Sequence, residues 1–274
     1  MKKIISQLMV VCLAGAAVTA EAHRGWMLPY ETVKAGESGW VTFDLASSND
    51  IFQIDHGPGR AEGLTVLTPE GKTEEAQNIF TGKLRTSFDI NVTQQGTYKI
   101  FLASGGLNAR WEDAEGKRAS WPARGEKANP ADFATAVPKD AKNLQVTQSS
   151  RRIETFVTLG KPSQQALAPT NVGLELVPIT HPNDLAVSEP AEFKFLIDGK
   201  PAVGVKVTVI AGGTRYRNAA EELELETDKN GIVKIQWKAM GVYWLGANYK
   251  DEKAQKPAKS RSGSYSATFE VLAE

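Results

Sequence analysis

Cysteine is almost missing from this chain of 274 residues, with Cys12 the only one. Val10-Val11 precede it instead of a small residue, which argues against a lipoprotein anchor. It also falls in a stretch expected to be removed, so the working protein is expected to have no disulfide, thiolate metal site or cysteine nucleophile. An excess of one charge is lacking too: 32 Lys+Arg stand against 32 Asp+Glu. A nearly neutral surface gives no electrostatic reason to expect nucleic acid or an acidic membrane as partner. Beyond the N-terminus no apolar run approaches the roughly 20 residues that cross a bilayer, so no direct membrane insertion is expected. There is no G-x-S-x-G elbow, P-loop, dinucleotide fingerprint, CxxC or HExxH, and Gly105-Gly106 and Gly212-Gly213 read as turns. Carboxylates are plentiful, but spacing singles out no pair for glycosidase chemistry. No catalytic residue is assigned.

What is present begins with an address. Lys2 and Lys3 precede an apolar run from Ile4 through Val18, broken only by Ser6, Gln7 and Gly15, and Ala20-Glu21-Ala22 closes it before His23. Basic, apolar, small-x-small is the order a signal peptidase reads, so residues 1–22 are expected to be a cleaved signal peptide and the mature protein to work in the bacterial periplasm. Losing Lys2, Lys3 and Glu21 takes Lys+Arg from 32 to 30 and Asp+Glu from 32 to 31, a net charge of −1.

The rest reads as all-β. Helical periodicity is weak, whereas short alternating runs bounded by Gly, Pro, Asn and Asp recur. The clearest strands of the first half are Gly39 to Asp44, Leu64 to Leu67, Thr86 to Ile90, Thr97 to Phe101 and Ile153 to Val157. A linker is expected near Gly160 to Asn171, followed by strands at Val172 to Val177, Glu192 to Leu196, Val203 to Val209, Gly241 to Leu245 and Ser266 to Leu272. Asp198-Gly199 and Asn230-Gly231 carry the strongest short hairpin signal. The expected organisation is two β-sandwich (Ig-like, Greek-key) domains: an N-terminal one over 23–163 and a C-terminal one over 170–274. Within the first, residues 105–142 lose their alternation and shift to Ala, Lys, Glu, Pro and two tryptophans, Trp111 and Trp121. So long an irregular segment is expected to be a binding flap or a solvated insertion.

Only three histidines remain after cleavage: His23, His56 and His181. Processing would give His23 a free α-amine of pKa about 8, which can lose its proton and chelate a metal together with the ring Nδ1. A second imidazole would then complete a T-shaped histidine brace, a nitrogen-rich geometry suited to Cu(II) or Ni(II). His56 lies in Asp55-His56-Gly57-Pro58, where Asp55 can ligate the ion or fix the imidazole tautomer. His181 lies in His181-Pro182-Asn183-Asp184, and all three imidazoles meet if the two halves pack closely. Each histidine also has a bland reading as a hydrogen-bonded turn residue.

With His23, Trp26-Met27-Leu28-Pro29, Ser47-Ser48-Asn49-Asp50-Ile51-Phe52 and Asp55-His56-Gly57-Pro58 in view, the chain resembles a bacterial periplasmic family of unknown function often labelled NikM-like, a periplasmic component of nickel transport. The likeness continues through Gly82 to Asp89, Gly96-Thr97-Tyr98, His181 to Leu185 and Asp198 to Pro201. It implies a β-rich periplasmic protein linked to metal acquisition, with His23, His56, His181 and less firmly Asp55 as ligands of a divalent transition metal, nickel or copper. The expected partners are that ion and an inner- or outer-membrane uptake system. Two other functions compete: a copper-dependent histidine-brace oxygenase acting on polysaccharide, and a non-catalytic carbohydrate-binding or adhesive module using Trp26, Trp111 and Trp121.

Overall fold

The computed structural model describes residues 23–123, 126 and 128–273. The expected leader, 1–22, lies outside the described residues. The protein is an all-β sandwich built from three sheets. The first carries Arg24–Pro29, Gly39–Ser48, Thr86–Val92 and Gln77–Thr81 in that order, with Gly57–Pro58 paired to the end of Gly39–Ser48. The third carries Leu174–Pro178, Ala191–Ile197, Lys200–Pro201 and Ile232–Ile235. Between them runs a ten-stranded sheet to which both halves of the chain contribute.

The seam of that middle sheet is the parallel pairing of Lys142–Leu159 with Ser260–Val271, from Thr147 opposite Ser260 to Thr155 opposite Thr268. Residues 152–159 are all buried, because each face of the strand meets a different core. Ile153, Val157 and Leu159 pack with Met27, Phe43, Phe88 and Tyr98 against the first sheet. Phe156, from the alternate set, packs with Phe193, Phe195, Leu245 and Phe269 against the third. A strand covered on both sides loses the polar alternation of a half-exposed one. The two halves thus have separate cores but one continuous sheet.

The alternate face also carries the charges Arg152 and Glu154. Arg152 Nη1 lies 3.5 Å from Glu154 and Nη2 3.8 Å from Glu175. The Tyr265 hydroxyl donates to Glu154 Oε1 at 2.6 Å. Glu175 accepts from the Thr170 and Asn171 amides, which ties the connector between the halves to the middle sheet. Lys99 donates to the Ala168 carbonyl, and burial lowers its pKa. Burial without such partners would cost several kcal/mol per ion, so pairing is what makes these charges tolerable.

The irregular stretch expected at 105–142 is shortened at both ends and interrupted by a short strand. Strand Gly96–Glu112 runs well into it, Arg118–Trp121 pairs back on that strand, and Lys142 already belongs to the next. The rest, among the described residues, is turn and coil apart from a one-turn helix at Phe133–Ala136 that follows a 3-10 turn at Pro130–Asp132. The alternation is faint here because the hairpin projects past both cores and covers only a small cluster around Ala109, Val137, Val146 and Ala258. Trp111 and Trp121 pack against that cluster, Trp121 edge-on to Phe133 at 5.1 Å.

A last cluster stitches the halves together. Trp26, Ala46 and Ile51 from the first half meet Ile210 and Trp244 from the second. Trp26 Nε1 donates to Ser48 Oγ at 2.7 Å, while Trp244 Nε1 and Ser266 Oγ both donate to the Gly25 carbonyl. Trp26 is thus core and offers no sugar-stacking face.

Candidate functional site

Strand Gly39–Ser48 ends beneath two chain segments. Arg24 pairs with Ser48 on one edge, and Gly57 with Ser47 on the other. His23 and His56 each lie one residue beyond their last paired neighbour, so the register brings both to the tip of the same strand. Their rings stack with centroids 3.4 Å apart and planes 9° from parallel, and both residues are exposed.

Each ring stands on a fixed base. Two residues after His23 comes Gly25, whose carbonyl takes the two hydrogen bonds from the second half, and then the buried Trp26. His56 ends a loop closed by the Asn49 amide donating to Asp55 Oδ1 at 3.1 Å and by the Gln53 amide donating to the Asp50 carbonyl. Ile51 is fully buried in that loop, and Phe52 stacks edge-on to Trp26 at 5.6 Å. Phe52 holds φ at 61°, an uncommon conformation for a bulky residue that its packing must enforce. Asp55 therefore sets the position of His56 through the loop.

His181 goes elsewhere. It is 8% exposed and lies between the two halves, with Nδ1 accepting from the Asn183 amide at 3.2 Å and Nε2 3.0 Å from Thr97 Oγ1 and 3.3 Å from the Ser163 carbonyl. An Nδ1 that accepts from an amide is unprotonated, so Nε2 carries the hydrogen of a neutral ring. Burial pushes its pKa below the ordinary 6.5. Both nitrogens are engaged, so His181 acts as a clamp between strand, connector and turn, and the convergence of three histidines is corrected to a convergence of two. Among the described residues, no group of three or more His, Cys, Asp and Glu is placed to hold a metal.

Two stacked imidazoles serve one ion only after a ring turns, because each nitrogen lone pair lies in its ring plane and these planes run nearly parallel, with centroids 3.4 Å apart. With metal–nitrogen bonds of about 2 Å, neighbouring ligand nitrogens at right angles stand about 3 Å apart. A T-shaped brace instead sets its imidazoles on opposite sides of the ion, so that geometry requires one ring to turn. Beside His23 opens a cavity of about 450 Å³ bordered by Arg24, Arg151, Trp244, Asn248 and Ser264. Sequence spacing gave no sign of these residues, because four strands distant in the chain bring them together.

A family model described as domain of unknown function DUF4198 matches residues 20–251. The chain belongs to this family. The resemblance drawn from the sequence thus holds at the level of a family of unknown function. No curated protein matches the chain. A crystal structure titled as a membrane-anchored protein from Corynebacterium diphtheriae is similar at 12% identity and a TM-score of 0.21, over 92% of this chain. The chain spans 54% of that structure's length. Among the described residues no helix is long and apolar enough to cross a membrane.

Proposed function

We propose that this DUF4198 protein is a non-enzymatic periplasmic metal-binding protein that captures a divalent transition ion, nickel or copper, for an uptake system. The face-to-face pair of His23 and His56 carries the reading. Two exposed imidazoles held side by side by separate segments supply two nitrogen ligands once one ring turns out of the stack. The third comes from the α-amine of His23 once residues 1–22 are removed, which closes a chelate with the ring of the same residue. Such a nitrogen-rich set favours Cu(II) or Ni(II) over a structural zinc. The address assigned to the leader supports a role before the inner membrane.

The test is calorimetric titration of Ni(II) and Cu(II) into two forms of the protein, one beginning at His23 and one retaining Ala22. One ion per chain should bind the first form, and acylation of the amine in the second should weaken binding about 100-fold or more, beyond the ~10–100-fold cost of losing a ligand's supporting partner. Equal affinity of the two forms would remove the amine from the site.

A further inference from the structure

The cavity beside His23 has the size of a small-molecule site, for which ~300–1,000 Å³ is usual. Its floor includes Asn248 and Ser264, which face each other across neighbouring strands, and the Trp244 indole forms a wall. Its charge is one-sided. Among the described residues, three arginines and no Asp or Glu border it. Arg24 is balanced by Glu222 at 2.6 Å, and Arg152 points to the opposite face, where Glu154 and Glu175 balance it.

Arg151 is different. It is exposed and makes no ion pair among the described residues, although Glu62 and Glu126 border a neighbouring cavity that it also lines. Its Nη2 lies 2.7 Å from where a Cβ on Gly25 would stand, so the guanidinium crosses the strand in room that glycine leaves, two residues from His23. A cationic fork lining the same cavity as His23 repels a bare divalent ion, whereas an anion lying between fork and ion is attracted by both.

We propose that the cleft binds a small, carboxylate-bearing chelator that arrives with the ion, one carboxylate taken in bidentate fashion by Arg151 while Asn248 and Ser264 hydrogen-bond the remainder. The planar guanidinium suits a carboxylate better than an ammonium would. This proposal rests on the metal reading of His23 and His56 and names the form in which the ion is taken.

Citrate is the probe. Protein beginning at His23 is titrated with citrate alone, Ni(II) alone and Ni(II)–citrate, for the wild type and for Arg151→Gln. The expected result is a Ni(II)–citrate complex retained at least tenfold more tightly by the wild type than by Arg151→Gln, with Ni(II) alone binding both equally or the variant slightly better. Arg151→Lys should recover only part of the loss. If nickel binds but citrate acts on both proteins alike, the metal reading stands and the chelator proposal is overturned. If nickel fails to bind while citrate alone binds in an Arg151-dependent way, the metal reading falls and the cleft remains an anion site.

Discussion

The imidazoles of His23 and His56, 33 positions apart in the chain, lie 3.4 Å apart and 9° from parallel at the tip of one strand. Replacing either with alanine should lower affinity for Ni(II) or Cu(II) about 100-fold or more, given that losing even a supporting partner costs ~10–100-fold. Thermal stability should change little, since both rings are exposed. Calorimetry together with the unfolding midpoint separates the two effects; an affinity that survives both substitutions would remove the pair from the site.

His181→Ala should do the reverse. Leaving the buried Asn183 amide without its acceptor should cost about 1–3 kcal/mol, while metal affinity stays unchanged. Urea denaturation and the same titration give both readouts, and a drop in metal affinity without loss of stability would contradict the clamp.

Stability should fall in two steps with acid. His181, its pKa held below 6.5 by burial, refuses in the native state a proton that the unfolded chain accepts. Its contribution is complete above about pH 6.5 and is lost as pH falls below that. Asp251, held to about 2 by hydrogen bonds from Arg261, contributes above its ordinary 3.8 and loses that contribution as pH falls towards 2. Denaturation midpoints at pH 7.5, 5.5 and 3 should decline, and His181→Gln should flatten the first interval only.

The buried charges at the seam should behave as a unit. Arg152→Met strands the carboxylates of Glu154 and Glu175 and should cost ~3–5 kcal/mol. Adding Glu154→Gln should recover part of that loss in a double-mutant cycle. Strict additivity of the two substitutions would show that the pair is not coupled.

Gly231→Ala tests a turn read from sequence. Gly231 holds φ at 77°, and a Cβ there would stand 2.6 Å from the Phe195 carbonyl oxygen and 3.0 Å from the Ala202 amide nitrogen. The left-handed conformation alone costs ~1–2 kcal/mol in a residue with a side chain, so the total should exceed about 2 kcal/mol by urea denaturation. A neutral substitution would mean the turn relaxes freely.

Local chemistry settled much by itself. Alternating runs such as Thr86 to Ile90 and the Asn230-Gly231 turn declare β-structure because pleat and turn conformations are properties of a few adjacent residues. The basic, apolar, small-x-small order of residues 1–22 and the small number of candidate ligands are likewise legible in the sequence as expectations. It could not say that Lys142–Leu159 would join both halves in one sheet, since that pairing joins residues up to 113 positions apart. Nor could it sort the histidines. His23 and His56 meet because one strand's register carries both to its tip, while His181 is closed off by Thr97, Ser163 and Asn183. Residue type made all three eligible; only the packing of distant strands decided which nitrogens were left free to bind anything.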